Sequence, residues 1–242
     1  MKVGIFVVAT GKYYSHFFEK FYKSCEEYFL KGIEKTYYVI TDTINTTSPP
    51  ENVITIYQRW EPFPFPTLNR YKYIHGFKGI VTEDYLFYID VDSLFVSEVK
   101  TRDIHIGSKK SFISVIHPGF WNTSNPQGTP ERNEASKAYI PTSENRYVCG
   151  GFQGGRRNSF LKAIEIMKNA IETDESNGII PIWHDESIWN KFVFLNKKNV
   201  EFISPEMCFP QNAECINPYL SLIKNPKLIA LDKNKTIVRN PN

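Results

Sequence analysis

Apolar and polar positions fall into blocks of changing period along this chain. From Val3 to Ala9 the run is almost continuously apolar and β-branched, the pattern of a strand covered on both faces in a parallel sheet. Between Tyr14 and Phe29 the period changes, and Phe17, Phe18, Phe21, Cys25, Tyr28 and Phe29 recur at helical spacing. Thr36 to Ile40 returns to strand composition, so the N-terminus predicts a βαβ unit. Pro49 and Pro50 interrupt the chain, Val53 to Tyr57 reads as a strand, and Pro62, Pro64 and Pro66 predict a stiff loop that excludes helix. A helix is expected from about Thr67 to Phe77, followed by a buried strand, Asp84 to Ile89, that stops abruptly at Asp90-Val91-Asp92.

The second half is less regular. Phe112 to Ile116 predicts a strand, the loop from Pro118 to Glu144 is long, and Tyr147 to Phe152 enters the glycine-rich Gly150-Gly151-Phe152-Gln153-Gly154-Gly155. Asn158 to Ile171 has helical periodicity, a shorter helix begins near His184, and Leu228 to Leu231 predicts a last strand before a polar tail. Alternating strands and helices indicate a single α/β domain with a Rossmann-like, mostly parallel sheet flanked by helices. Ligands of such sheets bind outside the carboxyl ends of the strands, which is where Asp90 and Asp92 fall.

Composition changes this picture little. With 242 residues, 41% hydrophobic and 23% charged, and no shift that marks a linker, the chain is neither disordered nor fibrous. Aromatic residues reach 15%, and although such rings suit sugar faces, most belong in a core, so only rings beside a chemical motif count. A net charge of +3, carried by scattered Lys and Arg, argues against nucleic acid as a partner and leaves room for weak association with an anionic membrane surface. Met1 to Val8 runs directly into an apolar strand, so no signal peptide is expected, and no apolar run approaches the ~20 residues of a transmembrane segment. The expected location is the cytoplasm. There the four cysteines, Cys25, Cys149, Cys208 and Cys215, which lack the spacing of a zinc site, are expected to be reduced structural thiols.

The chemistry begins at Asp90 and Asp92. Two like charges at the end of an apolar strand repel unless something neutralises them, and a divalent cation is the simplest remedy. Mn²⁺ and Mg²⁺ take oxygen ligands and are commonly held by one or two carboxylates plus substrate phosphates. An Asp-X-Asp triplet also occurs at turns and helix caps, so its weight here comes from its place after a buried strand.

Further motifs follow in order: Gly11-Lys12-Tyr13, Tyr37 to Asp42, Asp90-Val91-Asp92, His117-Pro118-Gly119-Phe120, Glu131-Arg132, Ala138 to Pro141, Gly150-Gly151-Phe152, Trp183-His184-Asp185-Glu186-Ser187 and Val238-Arg239-Asn240-Pro241. Over most of its length the chain thereby resembles the family 6 glycosyltransferases, the group of the histo-blood-group A and B transferases, the α-1,3-galactosyltransferases and their bacterial relatives. The resemblance implies a GT-A fold, a UDP-galactose or UDP-N-acetylgalactosamine donor, a β-galactoside glycan acceptor, possession of an α-1,3 linkage in the product and retention at the anomeric carbon. It divides the chain into a mainly nucleotide-binding part (1–117), an acceptor-binding and catalytic part (118–226) and a tail that closes over the donor (227–242).

Carried over residue by residue, the resemblance sets Val8, Thr10 and Tyr13 against uracil and ribose, and Arg70 and Asp90 near the donor sugar. Asp90 and Asp92, with Val91 between them, hold the metal; relatives with asparagines there work without metal, and this chain keeps both aspartates. Glu186 matches the catalytic carboxylate, acting as nucleophile or as electrostatic stabiliser of an oxocarbenium-like centre, and also borders the acceptor. His117 and Trp183 match acceptor contacts, His184 and Asp185 hold the site together, and Asp185 also meets the donor sugar's hydroxyls. Lys233 and Arg239 match tail residues that contact the diphosphate, and charge-assisted bonds to phosphate would order that tail. Donor choice depends on the segment matching Cys149-Gly150-Gly151, where the small Gly151 favours the N-acetylated sugar. Two rivals stay open: a UDP-galactose-using enzyme, and a non-catalytic nucleotide-sugar or glycan-binding protein. A metal-dependent phosphohydrolase accounts for the aspartates but not for the other motifs.

Overall fold

Strand β1, Lys2–Val8, is buried from Val3 to Val7 and pairs in parallel on both sides, with β2, Glu34–Thr41, and with β4, Tyr85–Ile89. The computed structural model describes residues 1–43, 49–142 and 145–233. Strand β3, Val53–Tyr57, extends the sheet beyond β2. On the far side of β4, strand β7, Val148–Arg156, runs antiparallel to both β4 and β6, Phe112–Ile116, and β8, Val200–Ile203, lies parallel to β6. The order is therefore β3-β2-β1-β4-β7-β6-β8, with β7 the one reversed strand. A small second sheet joins β5, Ser93–Phe95, to β10, Leu228–Ala230, and β9, Phe209–Pro210.

This topology gathers chemistry at one edge. The carboxyl ends of β1, β4 and β6 and the amino end of β7 all lie there, so the segments after Val8, Ile89 and Ile116 meet the one starting at Val148. Successive strand residues face opposite sides, and the two cores follow that period. Ile5, Val7, Phe87 and Ile89 pack against α1, Glu19–Tyr28, whereas Phe6, Leu86 and Tyr88 share a core with α3, Arg70–His75, α4, Arg157–Ser176, and α5, His184–Asn196. The remaining short helices are α2, Phe65–Leu68, and α6, Ala213–Ile216.

Two expectations need revising, and the glycine-rich segment gains a place. The proline-rich loop does admit helix, because Pro66 sits in the first turn of α2, where no intrahelical N–H is needed. The helix expected from Thr67 breaks at Asn69 into α2 and α3. The glycine-rich segment is the interior of β7: a Cβ on Gly155 would lie 2.1 Å from the Ser111 carbonyl oxygen, and one on Gly154 would lie 2.5 Å from that of Leu86. Close backbone approach, not a turn, accounts for both glycines.

The long segment after Pro118 is anchored. Asp174 on α4 accepts from the Ser136 hydroxyl and the Lys137 N–H, both at 2.7 Å, while Ala138 and Ile140 are fully buried. Among the described residues no helix is long and apolar enough to cross a membrane.

Gly155→Ala forces backbone of β6 and β7 apart, so it is expected to lower the free energy of unfolding by ~3 kcal/mol or more in urea denaturation. A loss below ~1 kcal/mol would show that the two strands are not held this closely.

Candidate active site

Asp90 leaves β4 with its N–H bonded to the Gly151 carbonyl at 2.9 Å, which locks the start of the Asp-X-Asp segment to β7. Its Oδ1 accepts from the Tyr88 hydroxyl at 2.6 Å and lies 3.4 Å from the Arg70 guanidinium. Burial opposes the charge of Asp90, but Arg70, Lys233 and the Tyr88 hydroxyl together hold its carboxyl below the usual carboxylate range. Val91 turns into the core, leaving Asp92 buried beneath the edge. Burial, with Asp90 beside it, pushes the Asp92 carboxyl up, and the Lys233 ammonium at 2.6 Å from Oδ2 works against that shift. Lys233 also stands 5.8 Å from the Tyr13 ring centroid.

Arg70 is the hub. Its side chain is almost fully buried, stacks 4.2 Å from the Tyr88 ring centroid, places Nε 3.0 Å from Asp185 Oδ2 and donates to the Gly150 carbonyl at 3.2 Å. Burial disfavours the guanidinium charge, but Asp185 and the surrounding oxygens outweigh it and keep the group charged. Asp185 is likewise buried, and burial pushes its carboxyl up to about 7 against the pull of Arg70.

Asp185 and Glu186 occupy the first turn of α5, where the helix dipole favours negative charge. His184 enters that helix with φ +53, a left-handed conformation that a side-chain-bearing residue rarely adopts, and its ring meets Phe63 edge-on at 5.1 Å. Glu186 Oε2 accepts the Gly150 N–H at 2.8 Å. Asn190, one turn later, donates to the Glu186 and Val148 carbonyls and accepts from the Val148 N–H, a clip that fixes α5 on the first residue of β7.

Gly150 and Gly151 divide the site between them, as alternate strand positions must. A Cβ on Gly150 would meet Asp185 Oδ2 at 3.2 Å and Glu186 Cβ at 3.4 Å, whereas one on Gly151 would meet Asp90 Oδ2 at 2.9 Å and Cys208 Sγ at 3.5 Å. Cys149, just before them, is buried in the core beneath β7.

His117 leaves β6 at the same edge. Its Nδ1 accepts from the Gly119 N–H at 3.0 Å, so the neutral ring carries its proton on Nε2 as a donor. Burial lowers its pKa and keeps it neutral, although Glu186 opposes this. Trp183 is 46% exposed, and its Nε1–H donates to the Thr129 hydroxyl at 2.8 Å, which holds the indole in place with much of its surface open. The buried Glu131 accepts from the Ile182 and Asn133 N–H groups at 2.7 and 2.8 Å and so ties the long loop to the residues before α5.

At the other end, Val8 closes β1, Thr10 is buried, and Gly11 turns the chain with φ +60 beneath the Trp60 ring while donating to Asp42 at 2.7 Å. A cavity of about 540 Å³ lined by Asp42, Tyr57, Arg59, Trp60, Glu61 and Pro62 opens there.

The arrangement offers a cation-seeking carboxylate pair and, across two glycines, a backbone-held glutamate on a helix N-terminus. The family profile described as Glycosyltransferase family 6 matches residues 1–240. This chain is a member of glycosyltransferase family 6. It is 29% identical over 250 residues to Histo-blood group ABO system transferase 1 of Rattus norvegicus, covering 98% of this chain and 68% of that one. To Globoside alpha-1,3-N-acetylgalactosaminyltransferase 1 of Gallus gallus it is 29% identical over 252 residues, 99% of this chain and 70% of the other. To the O-antigen biosynthesis glycosyltransferase WbnI of Escherichia coli it is 32% identical over 200 residues, 81% and 84% of the two chains. The sheet is accordingly GT-A-like, and the protein is a glycosyltransferase.

In this family 6 chain, Arg70, Asp90, Gly150, Gly151, Asp185 and Glu186 form one connected set, with Asp92 and Lys233 joined to it through Asp90. His117 reaches it through the field of Glu186, and Trp183 immediately precedes α5. Arg239, and the tail closure expected over the donor, lie outside the described residues. Asp90 and Asp92 are hard oxygen ligands that suit Mn²⁺ or Mg²⁺, and the ammonium beside Asp92 marks a position that demands positive charge. Among the described residues no group of three or more His, Cys, Asp or Glu could enclose a metal, so an ion here would need the diphosphate to complete its shell. Sequence reading did not single out Tyr88, Glu131's tether, Asn190 or Cys208 as site residues. The contacts of Glu131 with Ile182, Asn190 with Val148 and Cys208 with Gly151 span dozens of residues, which neither period nor motif spacing signals, whereas Tyr88 meets Asp90 two residues on, a same-face spacing that the strand pattern could have flagged.

Asn190→Ala leaves the Val148 N–H and C=O buried without partners and is expected to cost ~2–4 kcal/mol in urea unfolding. A loss under ~1 kcal/mol would mean the clip is not made in solution.

Proposed function

We propose that this glycosyltransferase moves N-acetylgalactosamine from UDP-N-acetylgalactosamine to a β-galactoside acceptor, forming an α-1,3 linkage with retention and depending on Mn²⁺ or Mg²⁺. One observation carries the reading: the Gly150 N–H holds Glu186 Oε2, while Arg70 ties the neighbouring Asp185 to Asp90. A carboxylate for the anomeric carbon and a carboxylate pair for the diphosphate are thereby spaced by one short strand segment.

In this reading residues 1–117 bind mainly the nucleotide and 118–226 mainly the acceptor. Thr10 and Tyr13 flank the nucleoside, and Asp185, held by Arg70, accepts from donor sugar hydroxyls. As the bond from the anomeric carbon to the UDP oxygen breaks, its electron pair leaves with the diphosphate and positive charge grows on the sugar ring. Glu186, fixed by Gly150, stabilises or captures that centre from the face opposite the leaving group. The acceptor hydroxyl then bonds to that carbon on the face the diphosphate left, giving its proton to the departed diphosphate, while any bond formed to Glu186 breaks and returns its electron pair to the carboxylate, which preserves the configuration. A divalent ion held by Asp90 and Asp92 would supply charge to the departing diphosphate. The Trp183 face and the His117 Nε2–H suit an apolar pyranose face and a hydroxyl of the acceptor.

Gly151 and the name of the Gallus gallus relative support the N-acetylated donor. The UDP-galactose reading draws on a different observation: a side chain on Gly151 would press on Asp90 Oδ2 at 2.9 Å, so packing alone asks for glycine.

A panel of both donors with β-galactoside acceptors separates the readings. The kcat/KM for UDP-N-acetylgalactosamine is expected to exceed that for UDP-galactose by about tenfold or more, and the reverse order would refute the donor assignment. Calorimetry is expected to show UDP affinity falling by about tenfold or more with EDTA; unchanged affinity would remove the metal from the scheme. Glu186→Gln is expected to lower kcat by about 10²-fold or more while UDP still binds, and wild-type turnover in that variant would end the catalytic assignment.

A further inference from the structure

Cys208 closes the 3-10 turn Pro205–Cys208 that follows β8, and its Sγ lies 3.5 Å from where a Cβ on Gly151 would stand. The same point is 2.9 Å from Asp90 Oδ2. The space in front of Gly151 therefore has two walls, a carboxylate and a thiol. Asp90 cannot vary in size or position, since Arg70, the Tyr88 hydroxyl and the Gly151 carbonyl all hold it. Cys208 is the wall whose volume can change without disturbing the charges.

That wall is rigid and continuous with the segment already tied to donor choice. Met207, next to it, is fully buried in the core under the sheet, and the turn is fixed by the Ser204 hydroxyl accepting the Glu206 N–H at 3.3 Å and by the Lys227 N–H donating to the Glu206 carbonyl at 2.8 Å. Cys149 is buried in the same core cluster, and Cys208 packs against that cluster. An acetamido group is larger than a hydroxyl, and a pocket that admits the one but is shaped for the other is governed by its least movable neighbour.

We propose that Cys208 is a donor-specificity residue: the volume of its side chain sets the depth of the space before Gly151 and hence the ratio of UDP-N-acetylgalactosamine to UDP-galactose use. This rests on the reading above that the donor's C2 substituent faces Gly151.

The test compares kcat/KM for the two donors, and their calorimetric Kd values, in the parent, Cys208→Ala, Cys208→Val, Cys208→Leu and Gly151→Ala proteins, with thermal unfolding to confirm that each is folded. Cys208→Leu is expected to lower the N-acetylgalactosamine-to-galactose ratio by about tenfold or more, Cys208→Val by less, and Cys208→Ala to leave the ratio equal or higher. If Leu does not fold, a fall in the ratio for Val carries the same meaning. A ratio within about twofold of the parent in folded Leu or Val variants, while Gly151→Ala moves it, overturns the role of Cys208 alone. If neither Gly151→Ala nor the larger residues at 208 move the ratio, the placement of the donor falls with it. A parent that prefers UDP-galactose refutes the donor assignment, yet a further fall in its ratio with Leu still supports Cys208 as the wall.

Discussion

Four carboxylates, those of Asp90, Asp92, Asp185 and Glu186, converge on one edge of the sheet, and the buried Arg70 guanidinium is what allows them to. Like charges brought this close repel, and burial raises the cost of each. Arg70 meets that cost by lying between the two, with Nη1 3.4 Å from Asp90 and Nε 3.0 Å from Asp185, while the same Nη1 and Nε donate to the carbonyls of Gly150 and Thr67. Removing one partner of such a buried set leaves a charge uncompensated, which is far more costly than the pair is stabilising. Among the described residues Arg70 and Lys233 are the cations paired with these acids, and burial, with Asp90 beside it, still pushes the Asp92 carboxyl up. The proposed function reads this edge as a site for a cation with an anionic ligand, whichever sugar that ligand carries.

The charges are only as useful as their alignment, and alignment comes from contacts between distant parts of the chain. Asn190 clamps α5 to Val148, Glu131 tethers the residues before Trp183, and Asp174 pins the long loop to α4. Each is a buried polar side chain bonded to backbone, Asp174 to the Ser136 hydroxyl as well, the type of network that fixes one geometry because half-made versions of it are costly.

That division explains what could be read from the residues beforehand. The alternation of strands and helices, the abrupt end of β4 at Asp90 and the short helix from His184 follow from local period and local chemistry, so they are visible in the chain as written. The family motifs pointed to Arg70, Asp90, Asp185 and Glu186, which do lie together. The glycines of β7 were opaque for the opposite reason. Gly154 and Gly155 are strand residues only because Leu86, Phe87 and Ser111 approach from neighbouring strands, and no local rule distinguishes that from a turn. Pro66 misled through position: the same residue that breaks a helix interior is tolerated in a first turn, and the chain does not announce where the turn begins. Cys208 carried no motif, since its meaning arises from facing Gly151 across the sheet edge.

Gly151 shows why a single small residue is a poor code for donor choice. Asp90 bonds through its N–H to the Gly151 carbonyl and sets its carboxylate 2.9 Å from the missing Cβ, so alanine there would press on that carboxylate whatever sugar is bound. Part of the requirement for glycine is therefore steric and independent of the donor. Room for an N-acetyl group must come from what stands beyond the glycine, where the neighbours are one carboxylate fixed by its partners and one thiol free of charge obligations. On the proposed placement of the donor, its preference becomes a property of the wall that Cys208 forms with Asp90, and the same glycine is compatible with either sugar depending on the volume opposite it.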